Sequence, residues 1–316
     1  MGAASRTESP TSLEEEIRAL RNDHRNVALP GLAATYLALG ALVVGTARAD
    51  TPLVYACAAI PIGVLQYRVT LSGHEAVHRT LVWPGWLNEA LGIVGQALVG
   101  VNFASYRVQH LDHHRAMTLP DDPDGHIYGG ILRTPRGWRR TVAWTLGTFV
   151  EIAIKVWQKG FGSIGRRHAQ ASTVATVGYS RACSVAVLLA QCLLAWGCAL
   201  LTGHWWGYAA VWVGPLFAVA VFLNRTRILV EHGLPLLAGV PAVARGIPTV
   251  DLDPPAVERW IVGPFHFHHH CAHHLHLAVP HYNLPALARA LRAHGHPDYH
   301  HVVGSYVTAL TRAMRT

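Results

Sequence analysis

Three groups of histidines in this chain are spaced so that neighbouring imidazoles share one face of a helix. His74 and His78, in Gly-His-Glu-Ala-Val-His, stand at i and i+4. His110, His113 and His114, in His-Leu-Asp-His-His, stand at i, i+3 and i+4, and His270, His273 and His274 repeat that spacing in His-Cys-Ala-His-His. Residues so spaced sit one helical turn apart, within reach of a common ion. A ninth candidate is His232, at the end of an apolar helix in Arg-Ile-Leu-Val-Glu-His. Neutral imidazole suits iron, copper or zinc, and eight or nine ligands are too many for one ion but right for two. Glu75, Asp112, Asp124 and Glu231 lie beside these histidines and are candidates to hold the imidazoles by hydrogen bonds. His266 and His268 belong to the last histidine tract but fall off its spacing.

His-Glu-Ala-Val-His taken alone also matches the zinc-protease pattern, in which the glutamate is a general base. That reading needs three protein ligands and leaves two histidine groups without a purpose. A metal transporter is the non-enzymatic alternative, since histidine-rich tracts also occur in metal-handling loops.

The elements that must carry these groups are membrane helices. The chain of 316 residues is 51% hydrophobic and only 14% charged, a balance foreign to most soluble domains. Four apolar runs, 27–47, 53–71, 183–201 and 205–223, are each close to the ~20 residues a span requires and form two hairpins with short turns. Runs 87–104 and 141–157 are apolar but broken by Asn88, Glu89, Gln96, Asn102, Glu151 and Lys155, which reads as interfacial or re-entrant helices. Were 87–104 a span, the second histidine group would face the opposite side from the first.

The expected fold is therefore an all-α membrane protein, with four transmembrane helices in two hairpins and a cytosolic, histidine-rich helical cap. Residues 1–26 form a cytosolic N-terminal helix opened by the Ser12/Glu15 capping box, and 27–316 form a single membrane domain. Arginines crowd the N-terminal segment and 107–181 but not the outer turns, so the positive-inside rule places both termini and the active site on the cytosolic side of the cell membrane. The acidic N-terminus does not match a cleavable signal. The formal charge of +8 is almost entirely arginine, with no aromatic or Gly-rich elements for nucleic-acid recognition. The five cysteines form no CxxC pair and are read as reduced thiols.

The combined motifs resemble the membrane fatty acid desaturase family, whose histidine boxes run HxxxH, HxxHH and HxxHH in that order. Residues 110–124 resemble the second box with its Asp-Pro turn, 273–285 the third box with its Val-Pro and Tyr-Asn-Leu-Pro tail, and 227–232 the helix before that box. The resemblance implies two iron ions held by His74, His78, His110, His113, His114, His232, His270, His273 and His274, with O2 as co-substrate. It implies desaturation of an acyl or other lipid-like chain, with hydroxylation on the same scaffold as the alternative outcome. Ala272 stands where the family often has glutamate, His266 and His268 where it has asparagines, and Leu277 where it has proline.

Turnover of this kind needs external electrons, and the cysteines lack iron–sulfur spacing. A separate donor such as ferredoxin with its reductase is implied. Arg133, Arg136, Arg139, Arg140, Arg166 and Arg167 are candidates for docking it or for contacting anionic lipid.

Overall fold

A computed structural model describes residues 12–116, 122–147, 149, 174–237, 249–302 and 304–315. Arg166, Arg167 and residues 150–157 of the expected second interfacial helix lie outside the described residues.

Four helices are long and apolar enough to cross a membrane: Ala28–Ala49 (α2), Pro52–Val77 (α3), Tyr179–Thr202 within the helix Val174–Thr202 (α8), and Ala209–Gly233. The last is π-helical over Ala209–Val213 and Leu216–Val221 and α-helical over Phe222–Leu237 (α9). Asp50, in the left-handed conformation, ends α2, and Pro52 opens α3 after a Thr51 cap, which closes the first hairpin tightly. Gly203, at φ +71°, turns the second.

The spans meet through small residues and a few buried polar groups. A Cβ on Gly63 would fall 2.4 Å from Val219 Cβ and 2.7 Å from Pro215 O, so only glycine lets α3 lie this close to the fourth span. Gln66 donates to the Trp212 carbonyl at 3.0 Å across the same contact. Leu39, Val43, Ile62, Leu65, Val69 and Trp212 fill the core around it.

The expected interfacial run 87–104 is two elements. Helix α4, Gly85–Leu98, ends before Gly100 at φ +75°, and a new helix, Phe103–Ala116 (α5), begins after Asn102, whose side chain accepts from Ser105 N at 3.0 Å. The polar residues of α4 are spent on its neighbours. Asn88 bridges Leu81 N and Ala76 O, and Gln96 donates to Thr70 O, so α4 is stapled along the end of α3. Glu89 receives a bidentate pair from Arg107 on α5 at 2.9 and 2.7 Å and the hydroxyl of Tyr179 from α8.

The cap is built from α5, the helices Gly125–Arg133 (α6) and 138–147 (α7), and the C-terminal third of the chain. The latter contributes strand β1 (Asp251–Leu252), helix α10 (Ala256–Ile261), the short helix His270–Leu275 (α11), Leu284–Ala293 (α12), strand β2 (His301–Val302) and Tyr306–Arg315 (α13). The two strands pair in parallel. Helices α6 and α13 pack on α9.

The N-terminal helix Leu13–Arg21 (α1) has the capping box expected of it and also packs on the C-terminal part of the chain. Leu13, Ile17 and Leu20 pack against the core of α12, and Asn283 donates to Leu20 O and to Asp23, while Tyr282 donates to Asp23 O at 2.5 Å.

Candidate metal centre

Each histidine group is delivered by a different kind of element. Helix α3 runs past its apolar part far enough to carry His74, and His78 forms its C-cap. α5 carries His110, His113 and His114, α9 carries His232, and α11 carries His270, His273 and His274. All nine converge. His74, His110, His113, His232, His270 and His273 are buried, and His78, His114 and His274 are half-buried.

They sort into two clusters. Ligand atoms of His74, His78, His110, His114 and His273 lie within 4.8 Å of one another, and so do those of His113, His232 and His274. His270 joins the second, its Nε2 3.0 Å from both His232 Nε2 and His274 Nε2. The middle histidine of each HxxHH group thus crosses over. His110 and His114 share a cluster with His273, whereas His270 and His274 share one with His113. The clusters abut, with the rings of His114 and His274 4.1 Å apart.

The donor set fits cations. His110 Nε2 faces His78 Nε2 at 2.8 Å and His114 Nε2 at 2.9 Å. One imidazole nitrogen offers one hydrogen or one lone pair, so these contacts cannot all be good hydrogen bonds. Metal–nitrogen bonds of about 2.1 Å would set adjacent ligand nitrogens about 3 Å apart in an octahedron. His74 Nε2 and His273 Nε2, both buried, have no hydrogen-bond partner among the described residues. Metal binding requires neutral imidazole, and burial disfavours the charged form. Desolvation, then neighbouring imidazoles, drives His110, His114, His270 and His274 well below the ordinary range, and desolvation with nearby Arg107 brings His78 down to about 3.

The surrounding carboxylates differ in what they touch. Glu75 is buried, 3.2 Å from His74 Nδ1, and accepts from Thr80 at 3.0 Å. Glu231 receives Arg227 at 2.5 Å and Tyr306 at 2.8 Å, and lies 3.4 Å from His270 Nε2. Asp124 accepts from Gln109, and Asp112 pairs with exposed Arg115. The carboxylate that holds His113 is Asp122, 2.8 Å from its Nδ1, which also accepts from Tyr128 at 2.6 Å. Asp122 lies nine residues from His113, beyond any helical spacing, and its one signal in the sequence is the Asp-Pro turn after the second box. His266 and His268 stand apart from both clusters, their rings 6.0 Å from each other, with His268 against His269.

Not every candidate arginine is free to dock a partner. Arg133, Arg136 and Arg139 are exposed, but Arg140 is buried and donates to the carbonyls of Leu132, Thr134 and Ala313. A cation there satisfies the ends of α6 and α13.

The sequence is also similar to known proteins. The sequence profile described as Fatty acid desaturase matches residues 50–306. Among curated proteins, the chain is 26% identical over 232 residues to an sn-1 oleoyl-lipid 12-desaturase of Synechocystis sp., and 26% identical over 230 residues to the enzyme of that description from Anabaena variabilis. In both cases the match covers 67% of this chain and 61% of the relative, so the chain spans less than two thirds of those relatives' length. A profile match over most of the chain, with the histidine boxes brought together in space, establishes that this protein belongs to the fatty acid desaturase family.

Proposed function

We propose that this protein is a membrane-bound, O2-dependent oxidoreductase that desaturates the acyl chain of a lipid. The observation that carries the reading is the exchange of middle histidines between the second and third groups. It makes two adjoining nitrogen clusters from nine residues, where a single-metal hydrolase would need one. The relatives' description as lipid desaturases supports the substrate class.

In this reading His74, His78, His110, His114 and His273 hold one iron, and His113, His232, His270 and His274 the other. Bound iron with dioxygen supplies the oxidising power to break an unactivated C–H bond, which no side chain can. The chain's own residues position and insulate. Asp122 fixes His113 through Nδ1 and Glu75 contacts His74 Nδ1, which sets the imidazoles with Nε2 inward. Phe267 packs against His74 with ring centroids 4.5 Å apart, and Arg227 stacks on Phe267 at 4.3 Å, closing one side of the site to water. Glu75 is held by Thr80 and His74 rather than aimed at an open ligand position, which disfavours a protease's general base.

Removing two hydrogens while reducing O2 to water requires electrons from outside, and the cysteines form no cluster motif. A separate donor of the ferredoxin type is therefore part of the proposal, with exposed Arg133, Arg136 and Arg139 available to an acidic partner. Both termini and the metal centre face the cytosol, following the arginine distribution.

The test is product mass from lipid substrates with purified protein, a ferredoxin, its reductase and O2. Loss of two hydrogens supports desaturation. Gain of one oxygen replaces it with hydroxylation, and peptide cleavage or metal transport without O2 uptake refutes the oxygenase reading.

A further inference from the structure

The helix that carries the third histidine group cannot hold itself. α11 has six residues, fewer than two turns, and its N-cap, His269, makes no side-chain capping bond. So short a helix gains too little from its own hydrogen bonds to fix its rotation, and its first amides need partners from elsewhere.

Those partners come from one buried carboxylate. Asp251 is fully buried on β1, eighteen residues before His269. Its Oδ1 accepts from Cys271 N at 2.8 Å and Ala272 N at 3.1 Å. Its Oδ2 lies 3.0 Å from His269 Nδ1 and accepts from the Tyr299 hydroxyl at 2.8 Å. Four donors on one carboxylate satisfy a charge that would otherwise be costly to bury, and a negative group at a helix start is favourable. The strand beneath is itself clamped, with Asp251 N bonded to His300 O and Leu252 N to His268 O, both at 2.9 Å.

We propose that Asp251 is a positioning residue for the metal centre: by capping α11 and gripping His269 and Tyr299, its carboxylate sets the rotation of that helix and so aims His270, His273 and His274. The proposal rests on the two-iron reading for what the histidines are aimed at, but not for the capping itself. Because α11 supplies both clusters, misplacing it disturbs both. Asn at this position keeps an acceptor for the two amides and loses the charge; Ala loses both.

The experiment compares full-length wild type, Asp251→Asn, Asp251→Ala and Tyr299→Phe in detergent. Amide exchange across 268–276 is read on metal-free protein, and Fe(II) and Co(II) titrations are read by affinity and by the Co(II) absorption spectrum. Expected are at least about tenfold faster exchange at Cys271 and Ala272 and about 10–100-fold weaker metal binding in Asp251→Ala. Asp251→Asn should recover most of the affinity with a shifted spectrum. Wild-type exchange, affinity and spectrum in a folded Asp251→Ala would overturn the proposal. If neither Asp251 variant folds, Tyr299→Phe decides, with a shifted spectrum expected at unchanged circular dichroism and an unshifted one refuting it. A wild type that takes up no metal defeats the two-iron reading, while the exchange comparison still decides whether Asp251 caps α11.

Discussion

The second and third histidine groups have one spacing and opposite means of support. α5 has fourteen residues, is capped by Asn102 and is tied to α4 through Arg107 and Glu89, so its histidines are aimed largely by its own helix. α11 has six residues and depends on β1, on α12 and, through Tyr282 and Asn283, on the N-terminal segment. The same motif is therefore a local feature in one place and the product of distant contacts in the other. Substitutions far from the histidines in sequence should injure the third group and spare the second.

The largest effect is expected where the two groups interlock. His113→Ala and His273→Ala each remove the histidine that crosses to the other cluster, and both should lower turnover at least about 100-fold while reducing bound metal. Metal analysis of each variant checks this, and full occupancy in both would break the exchange. Asp122→Ala, which frees His113 Nδ1, should cost about 10–100-fold in metal affinity, seen in chelator competition.

The convergence of His74, His78 and the two HxxHH groups is legible in the sequence because helical spacing is a local property. His232 was legible because an apolar span had to end beside it. Asp122, Asp251 and Tyr306 were not, since their contacts join residues from nine to seventy-five positions apart, for which no periodicity exists. The spans were legible as apolar runs, but their ends were not. Ala209–Gly233 carries Arg227 and Glu231 beyond the apolar run, and these lower apparent hydropathy although they pair with each other. The segment 87–104 looks like one helix in the sequence because Gly100 and Asn102, which divide it, are weak signals beside its apolar neighbours.

Asn283→Ala loses bonds to Leu20 O and Asp23 and should lower stability by about 1–2 kcal/mol, visible as a lower thermal midpoint, with metal affinity falling through the third group. Asp112→Ala, although it lies within the second box, breaks only an exposed pair with Arg115 and should change stability by no more than about 0.5 kcal/mol and activity not at all. An Asp112→Ala variant as damaged as Asp122→Ala would mean that α5 is not self-supporting.

Whether the nine histidines hold a pair of irons is decided by elemental analysis of full-length protein purified in detergent from iron-replete cells. About two irons per chain is the predicted result, and one zinc per chain without iron would contradict it.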